Sequence, residues 1–250
     1  MTTRPQVFQS SRIQQEFEQQ TLGIIGGMSW ESTESYYRLI NEGVKEQLGH
    51  LHSADLLIHS LDFAPIEALQ AKGAWDEMGK TLASSGKRLQ AAGAQGLLIA
   101  TNTMHKVAGD VIATTGLPLI HIADATAEAV KAQGLTKIGL LGTQFTMTED
   151  FYKQRLIDAG LQVLIPEDGA RAEVHRIIYD ELCQGKLFDS SRQYYKEVIE
   201  QLAKQGCEGV ILGCTEIGLL IRQEDSPIPV FDTTAIHAEA AVKFLLNNKY

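Results

Sequence analysis

Short apolar runs alternate along this chain with longer stretches in which apolar residues recur at helical spacing. Leu22-Gly23-Ile24-Ile25-Gly26-Gly27 is an apolar run ending in glycines, which predicts a buried strand and a tight turn. A helix is expected from about Glu31 to Gln47, then a strand over Ala54 to Ser60. Met78, Leu82 and Leu89 mark the next helix, and Gly96 to Ala100 the next strand. Leu117 to Ile122 reads as a strand and Asp124 to Ala132 as a helix.

The second half repeats this order. Ile138-Gly139-Leu140-Leu141-Gly142-Thr143 echoes the first strand and turn, and Thr146 to Glu149 fits a capping box that would open a helix. Leu161 to Ile165 is the next expected strand, and Tyr195, Val198, Ile199 and Leu202 mark a helix. Gly209 to Leu212 is a further strand, and Pro229-Val230-Phe231-Asp232 loosely echoes Pro118-Leu119-Ile120. Alternating strands and helices predict an α/β fold of two pseudo-symmetric parallel-sheet domains. The expected division is a polar extension over 1–20, a first domain over 21–115 plus 226–250, and a second over 116–225.

In parallel sheets, ligands bind outside the carboxyl ends of the strands. Gly26-Gly27, Thr101-Asn102, Gly142-Thr143 and Cys214-Thr215 all fall at such ends. Two of these corners are closely related. Thr101-Asn102-Thr103-Met104-His105 and Gly213-Cys214-Thr215-Glu216 each follow an apolar strand that itself follows a Gly-x-x-Gly turn, Gly93 to Gly96 and Gly206 to Gly209. Two such corners facing each other across a cleft could hold one substrate between two acid/base groups. That arrangement suits transfer of a proton from one face of a carbon to the other.

Composition narrows the partners. The chain has 250 residues, 44% of them hydrophobic, enough for one large domain or two small ones. A formal net charge of −9 argues against nucleic acid and anionic membrane as main partners, without excluding an anionic substrate. Three cysteines, Cys183, Cys207 and Cys214, with no CxxC spacing read as reduced and cytoplasmic. No apolar run approaches the ~18 residues of a membrane span. Met1 to Gln20 lacks an apolar stretch and reads as a disordered or weakly helical extension rather than a secretory signal.

Among the reactive side chains, Cys214 follows a strand and would meet the backbone N–H groups of a following helix, a setting that favours thiolate. Its plainer reading is an inert buried thiol. Cys183 and Cys207 read as structural. Thr101 stands where the repeat places Cys214, as a functional hydroxyl or a turn residue. His105 is read either as a polarising group or as packing on the sheet, and Glu216 either as a partner of Cys214 or as a surface residue. His50-Leu51-His52 lacks a third ligand and reads as a surface loop rather than a metal site. No HExxH or P-loop occurs, and Gly23-Ile24-Ile25-Gly26-Gly27 is not a GxGxxG. Neither a metal nor a bound cofactor is therefore expected.

These motifs resemble those of the cofactor-independent aspartate/glutamate racemase family over essentially everything after residue 20. The resemblance rests on Gly23 to Ser29, on Thr101-Asn102-Thr103-Met104-His105, which looks like the family's Cys-Asn-Thr signature with Thr in place of Cys, and on Val210 to Glu216, which looks like its second cysteine signature. Glu216 after Cys-Thr is similar to the aspartate-racemase branch. The resemblance implies two α/β domains with the site between them, and a C-terminal segment, including the strand at Pro229 to Phe231, returning to the first. It implies that Thr101 and Cys214 are the catalytic pair, with Cys214 serving the L-enantiomer of aspartate or glutamate. It further implies that Asn102, Thr103, Thr143 and Thr215 hold the α-carboxylate and amino group, and that Met28 and Ser29 line the cleft. Arg171 and Lys186 are candidates for holding the side-chain carboxylate. Family members are often dimers, and a homodimer is the matching expectation. Two further functions fit the single cysteine: an enzyme like arylmalonate decarboxylase, or an amino-acid-binding descendant without catalysis.

Overall fold

The computed structural model describes residues 19–247, so all but the last two residues of the expected polar extension lie outside the described residues. The first half runs β1 (Leu22–Gly26), α1 (Trp30–Leu48), β2 (Leu56–Ser60), α2 (Phe63–Ala71), α3 (Trp75–Ala91), β3 (Gly96–Ile99), α4 (Ala108–Thr115), β4 (Leu119–Ile120) and α5 (Ile122–Ala132). The second runs β5 (Lys137–Gly142), α6 (Gln144–Thr148), α7 (Asp150–Asp158), β6 (Gln162–Leu164), α8 (Asp168–Asp180), α9 (Asp189–Lys204), β7 (Gly209–Gly213), α10 (Ile217–Leu220), β8 (Val230–Asp232) and α11 (Thr233–Leu245).

The strands form two four-stranded parallel sheets with matching orders, β2-β1-β3-β4 and β6-β5-β7-β8. Strands β1, β3 and β7 are buried throughout, and β5 from Ile138 onward, as strands covered on both faces must be. One face of the first sheet packs on Met78, Leu82 and Leu89 of α3 and Val111 of α4. One face of the second packs on Val174, Ile177 and Ile178 of α8 and Tyr195, Val198 and Ile199 of α9.

The remaining faces are covered by an exchange. Helix α5 leaves the first sheet, yet Ile122, Ala127 and Val130 pack on Ile138, Leu140 and Ile211 of the second. Helix α11 leaves the second sheet, yet Ala238, Ala241 and Leu245 pack on Leu22, Ile24 and Leu98 of the first. Each half thus lends the other a helix, and neither sheet buries both faces without its neighbour.

This exchange alters the expected division. Leu119–Ile120 pairs with β3 and so joins the first sheet, although it was placed with the second domain. Val230–Asp232 pairs with β7 in the second sheet, so the return to the first domain is made by α11 and not by that strand. The expected cap also moves. The residue that caps α6 is Thr143, whose side chain accepts from the Thr146 amide, whereas Thr146 lies inside the helix. Thr143 leaves β5 in extended geometry, which an N-cap requires.

Candidate active site

Four loops at the carboxyl ends of β1, β3, β5 and β7 meet between the two sheets. The first is set by Gly27, which holds φ +85 and donates its N–H to Thr33 Oγ1 at 2.7 Å. A Cβ there would lie 2.1 Å from Leu61 O, so only glycine allows this turn. The turn delivers Met28 and Ser29, both buried. Ser29 caps α1 by accepting from the Ser32 amide and donates its hydroxyl to Glu216 Oε1 at 2.8 Å, a bond between the two halves.

After β3 the chain enters a 3₁₀ turn, Thr103–Val107, with Thr101 and Asn102 at its mouth. Asn102 is 2% exposed. Its Nδ2 donates to Thr233 Oγ1 at 3.1 Å, and Thr233 Oγ1 donates to Leu212 O at 2.7 Å. Because Thr233 spends its proton on Leu212, it can only accept from the amide. That fixes the amide's orientation and leaves Asn102 Oδ1 buried without a partner. A buried acceptor of this kind is costly unless a donor arrives. Thr103 Oγ1 reaches Thr143 Oγ1 at 3.1 Å, joining the mouths of β3 and β5.

After β7, Cys214 is 7% exposed and Glu216 4%. Glu216 gathers its donors closely: Cys214 Sγ at 3.0 Å and Thr215 Oγ1 at 2.7 Å on Oε2, with Ser29 on Oε1. Burial pushes the Cys214 thiol well above its ordinary range, and the adjacent Glu216 charge adds to it. The site therefore rests with Cys214 protonated and its proton already directed at a carboxylate.

Behind Thr101 lies a cluster of buried histidines. His105 Nδ1 is 2.8 Å from Thr101 O and must donate to it, while Nε2 accepts from the Ile122 amide at 3.3 Å. Both nitrogens are thus used in one neutral tautomer, tying the Thr101 backbone to the start of α5. His121 packs at 4.5 Å and His237 at 5.6 Å, centroid to centroid. Burial lowers His105 to about 4 and His237 to about 3, and it lowers His121 as well. Tyr36 OH meets His237 Nδ1 at 2.8 Å.

A cavity of ≈ 20 Å³ lies between the loops, with Thr101, Asn102, Thr103, Thr143, Cys214 and Glu216 in its wall together with Met28. Such a space admits about one water and is too small for an amino acid as it stands. Of the residues expected at the site, Ser29 and Thr215 stand just behind this wall and reach it through Glu216.

Arg171 and Lys186 are not part of the wall. The Arg171 guanidinium donates to Pro166 O at 3.0 Å and to Asp168 at 2.5 Å, and Lys186 reaches Gln184. His50 and His52 are exposed. Among the described residues, no group of three or more His, Cys, Asp or Glu is arranged to hold a metal ion, and no helix is long and apolar enough to cross a membrane.

The wall also holds residues that sequence reasoning missed: Phe63 and Gln70 on α2, Ile178 and Tyr179 on α8, and Cys183. Cys207, by contrast, is buried in the apolar core. The helical signals were present, with Asp62 as the N-cap of α2 and Val174, Ile177 and Ile178 at helical spacing on α8.

The chain as a whole is similar to known proteins. Residues 25–241 match the family model described as Asp/Glu/hydantoin racemase. A crystal structure of an Asp/Glu racemase candidate from Yersinia pestis is 54% identical, with a TM-score of 0.85, over 91% of this chain and 99% of that one. An aspartate racemase homologue from Pyrococcus horikoshii OT3 is 37% identical, with a TM-score of 0.79, over 92% of this chain and 100% of that one. The broad specificity amino-acid racemase RacX of Bacillus subtilis is 22% identical over 90% of this chain and 98% of its own length.

Proposed function

This chain belongs to the Asp/Glu/hydantoin racemase family, and on that premise we propose that it racemises an α-amino acid without a cofactor, Cys214 working on one face of Cα and Thr101 on the other. The observation that carries the proposal is the shared cavity wall, to which the second half contributes a thiol and the first half a hydroxyl.

The wall offers complementary poles for a zwitterion. Asn102 Oδ1 and Glu216 are acceptors for an α-ammonium, and of the paired hydroxyls of Thr103 and Thr143 the one that accepts within the pair keeps its proton for an α-carboxylate. Cα–H is a very weak acid, and its removal sends negative charge onto that carboxylate, which fixed donors stabilise.

To act as a base, Cys214 must first lose its proton, and Glu216 Oε2 at 3.0 Å is placed to take it. The thiolate then removes Cα–H, the Thr101 hydroxyl delivers a proton to the opposite face, and the Thr101 oxygen regains a proton from water as Glu216 releases the one it took from Cys214, which closes the cycle. Thr101 is the weaker partner. A threonine hydroxyl can protonate a strongly basic carbanion, but as a base it would have to become an alkoxide. Enantiomers have equal free energy, so both directions share one kcat/KM and a poor Thr101 slows both alike. One-face exchange of the proton survives such a defect.

The test is incubation with L-amino acids in D₂O, following loss of the Cα–H signal by proton NMR alongside chiral chromatography. Exchange with inversion supports the reading, and Thr101→Cys then speeds inversion. Undiminished exchange in Cys214→Ala would sink the role given to this thiol.

A further inference from the structure

The corners at Thr101 and Cys214 are held in place by different means. Aligning the repeat on these two residues sets His105 opposite Gly218. In the second half the Cys214 carbonyl accepts from the Ile217 amide at 3.1 Å, a bond of the backbone with itself. A side chain would not fit at the position opposite His105, because a Cβ on Gly218 would lie 2.4 Å from Asp232 Oδ2. In the first half the Thr101 carbonyl accepts instead from a side chain, His105 Nδ1, at 2.8 Å. The far side of that ring, Nε2, accepts from the Ile122 amide at 3.3 Å, in the first turn of α5. His105 is 3% exposed and packs against His121 and His237. His237 is fixed in turn by donating from Nε2 to Ile120 O at 2.8 Å.

This difference bears on the second proton transfer. Threonine is branched at Cβ, so its χ1 is stiff and Oγ1 lies where the backbone carries it. A misplacement of ~1 Å in a reacting group can cost about 10²-fold in rate. The Thr101 backbone thus decides whether its hydroxyl meets the carbanion, and His105 holds that backbone.

We infer that His105 is a positioning residue for inversion: by bridging Thr101 O to the Ile122 amide it keeps the Thr101 hydroxyl at its face of the substrate, and it has no counterpart behind Cys214. The inference rests on the racemase reading and deepens it. Its consequence is one-sided. Loosening His105 disturbs proton return to the second face and leaves exchange at the Cys214 face in place.

Two variants that each keep one of the two bonds test it. His105→Asn sets an amide nitrogen near the place of Nδ1 and keeps a donor for Thr101 O. His105→Gln sets an amide oxygen near the place of Nε2 and keeps an acceptor for the Ile122 amide. Each is incubated in D₂O with a panel of L-amino acids that includes L-aspartate and L-glutamate. Initial loss of Cα–H by proton NMR and inversion by chiral chromatography together give the fraction of exchange events that end in inversion. Only folded protein contributes to that fraction, so partial loss of the fold does not move it. It is expected to fall about tenfold or more in His105→Gln and to stay within about threefold of the unaltered protein in His105→Asn. A fraction unchanged in His105→Gln, or equally low in both variants, would overturn the inference while leaving a racemase in place. Failure of both variants to fold would overturn it too, by making His105 a support of the fold, and so would an unaltered protein that exchanges without inverting. Exchange of no amino acid by the unaltered protein would bring down the racemase reading, and this inference with it.

Discussion

Acid should loosen this protein well above the pH at which carboxylates titrate, because three histidines are buried in neutral form behind Thr101. The perturbation is a shift from pH 7.5 to 5.5. An unfolded histidine of pKa 6.5 takes up most of a proton over that interval. His105, held down to about 4, and His237, held down to about 3, take up almost none while folded. His121 is lowered in the same direction by the same burial. A folded pKa below the unfolded one means that the unfolded chain binds more protons, so stability is present above pH 6.5 and is lost as the pH falls below it. Each histidine contributes about 1.4 kcal/mol over the interval, about 4 kcal/mol for the three together. Asp232 works in the opposite sense, since burial raises its pKa. The assay is urea unfolding at pH 7.5, 6.5 and 5.5, followed by circular dichroism, with the free energy read from midpoint and slope. A stability unchanged or rising between pH 7.5 and 5.5 would refute the reasoning. It would mean that these imidazoles accept protons inside the fold, which the Ile122 amide on His105 Nε2 forbids.

Two further outcomes follow from the site. Glu216→Gln removes the second-largest cause of the raised Cys214 pKa, so the pH at which that thiol alkylates with iodoacetamide should move down, though not to the ordinary value, because burial is the larger cause; an unmoved alkylation profile would contradict the coupling. Gly27→Ala places a Cβ against Leu61 O at a positive φ and should cost about 2 kcal/mol or more, visible as a lower thermal midpoint; a loss under ~0.5 kcal/mol would show that the turn relaxes freely.

The sequence was most readable where structure is local. The central strands carry unbroken apolar runs, and the helix spacing of Met78, Leu82 and Leu89 is periodic enough to read directly. The two corners at Thr101 and Cys214 could be matched because each is a strand, a turn and a polar cluster within a few residues. Long-range arrangements were the harder part. The exchange of α5 and α11 depends on which sheet offers an uncovered face, and no local pattern records that. Strand β4 shrinks to Leu119–Ile120 because α5 begins at Ile122 to reach the other half. His105 and His121 both lie in the first half, and His237 joins them only because α11 crosses over from the second. Cys183 looked structural because nothing near it in sequence is reactive, yet it sits in the cavity wall, where burial and Glu216 hold its thiol protonated.

The central claim is that two unequal groups flank one carbon. The measurement that tests it most directly is the stereochemical course of hydrogen exchange in Thr101→Ala, started separately from each enantiomer of a turned-over amino acid in D₂O. The account predicts that one enantiomer still loses its Cα–H, with deuterium returned to the same face, while inversion falls by at least about 10²-fold. Inversion at the rate of the unaltered protein would contradict it, because the second proton would then come from a group other than Thr101.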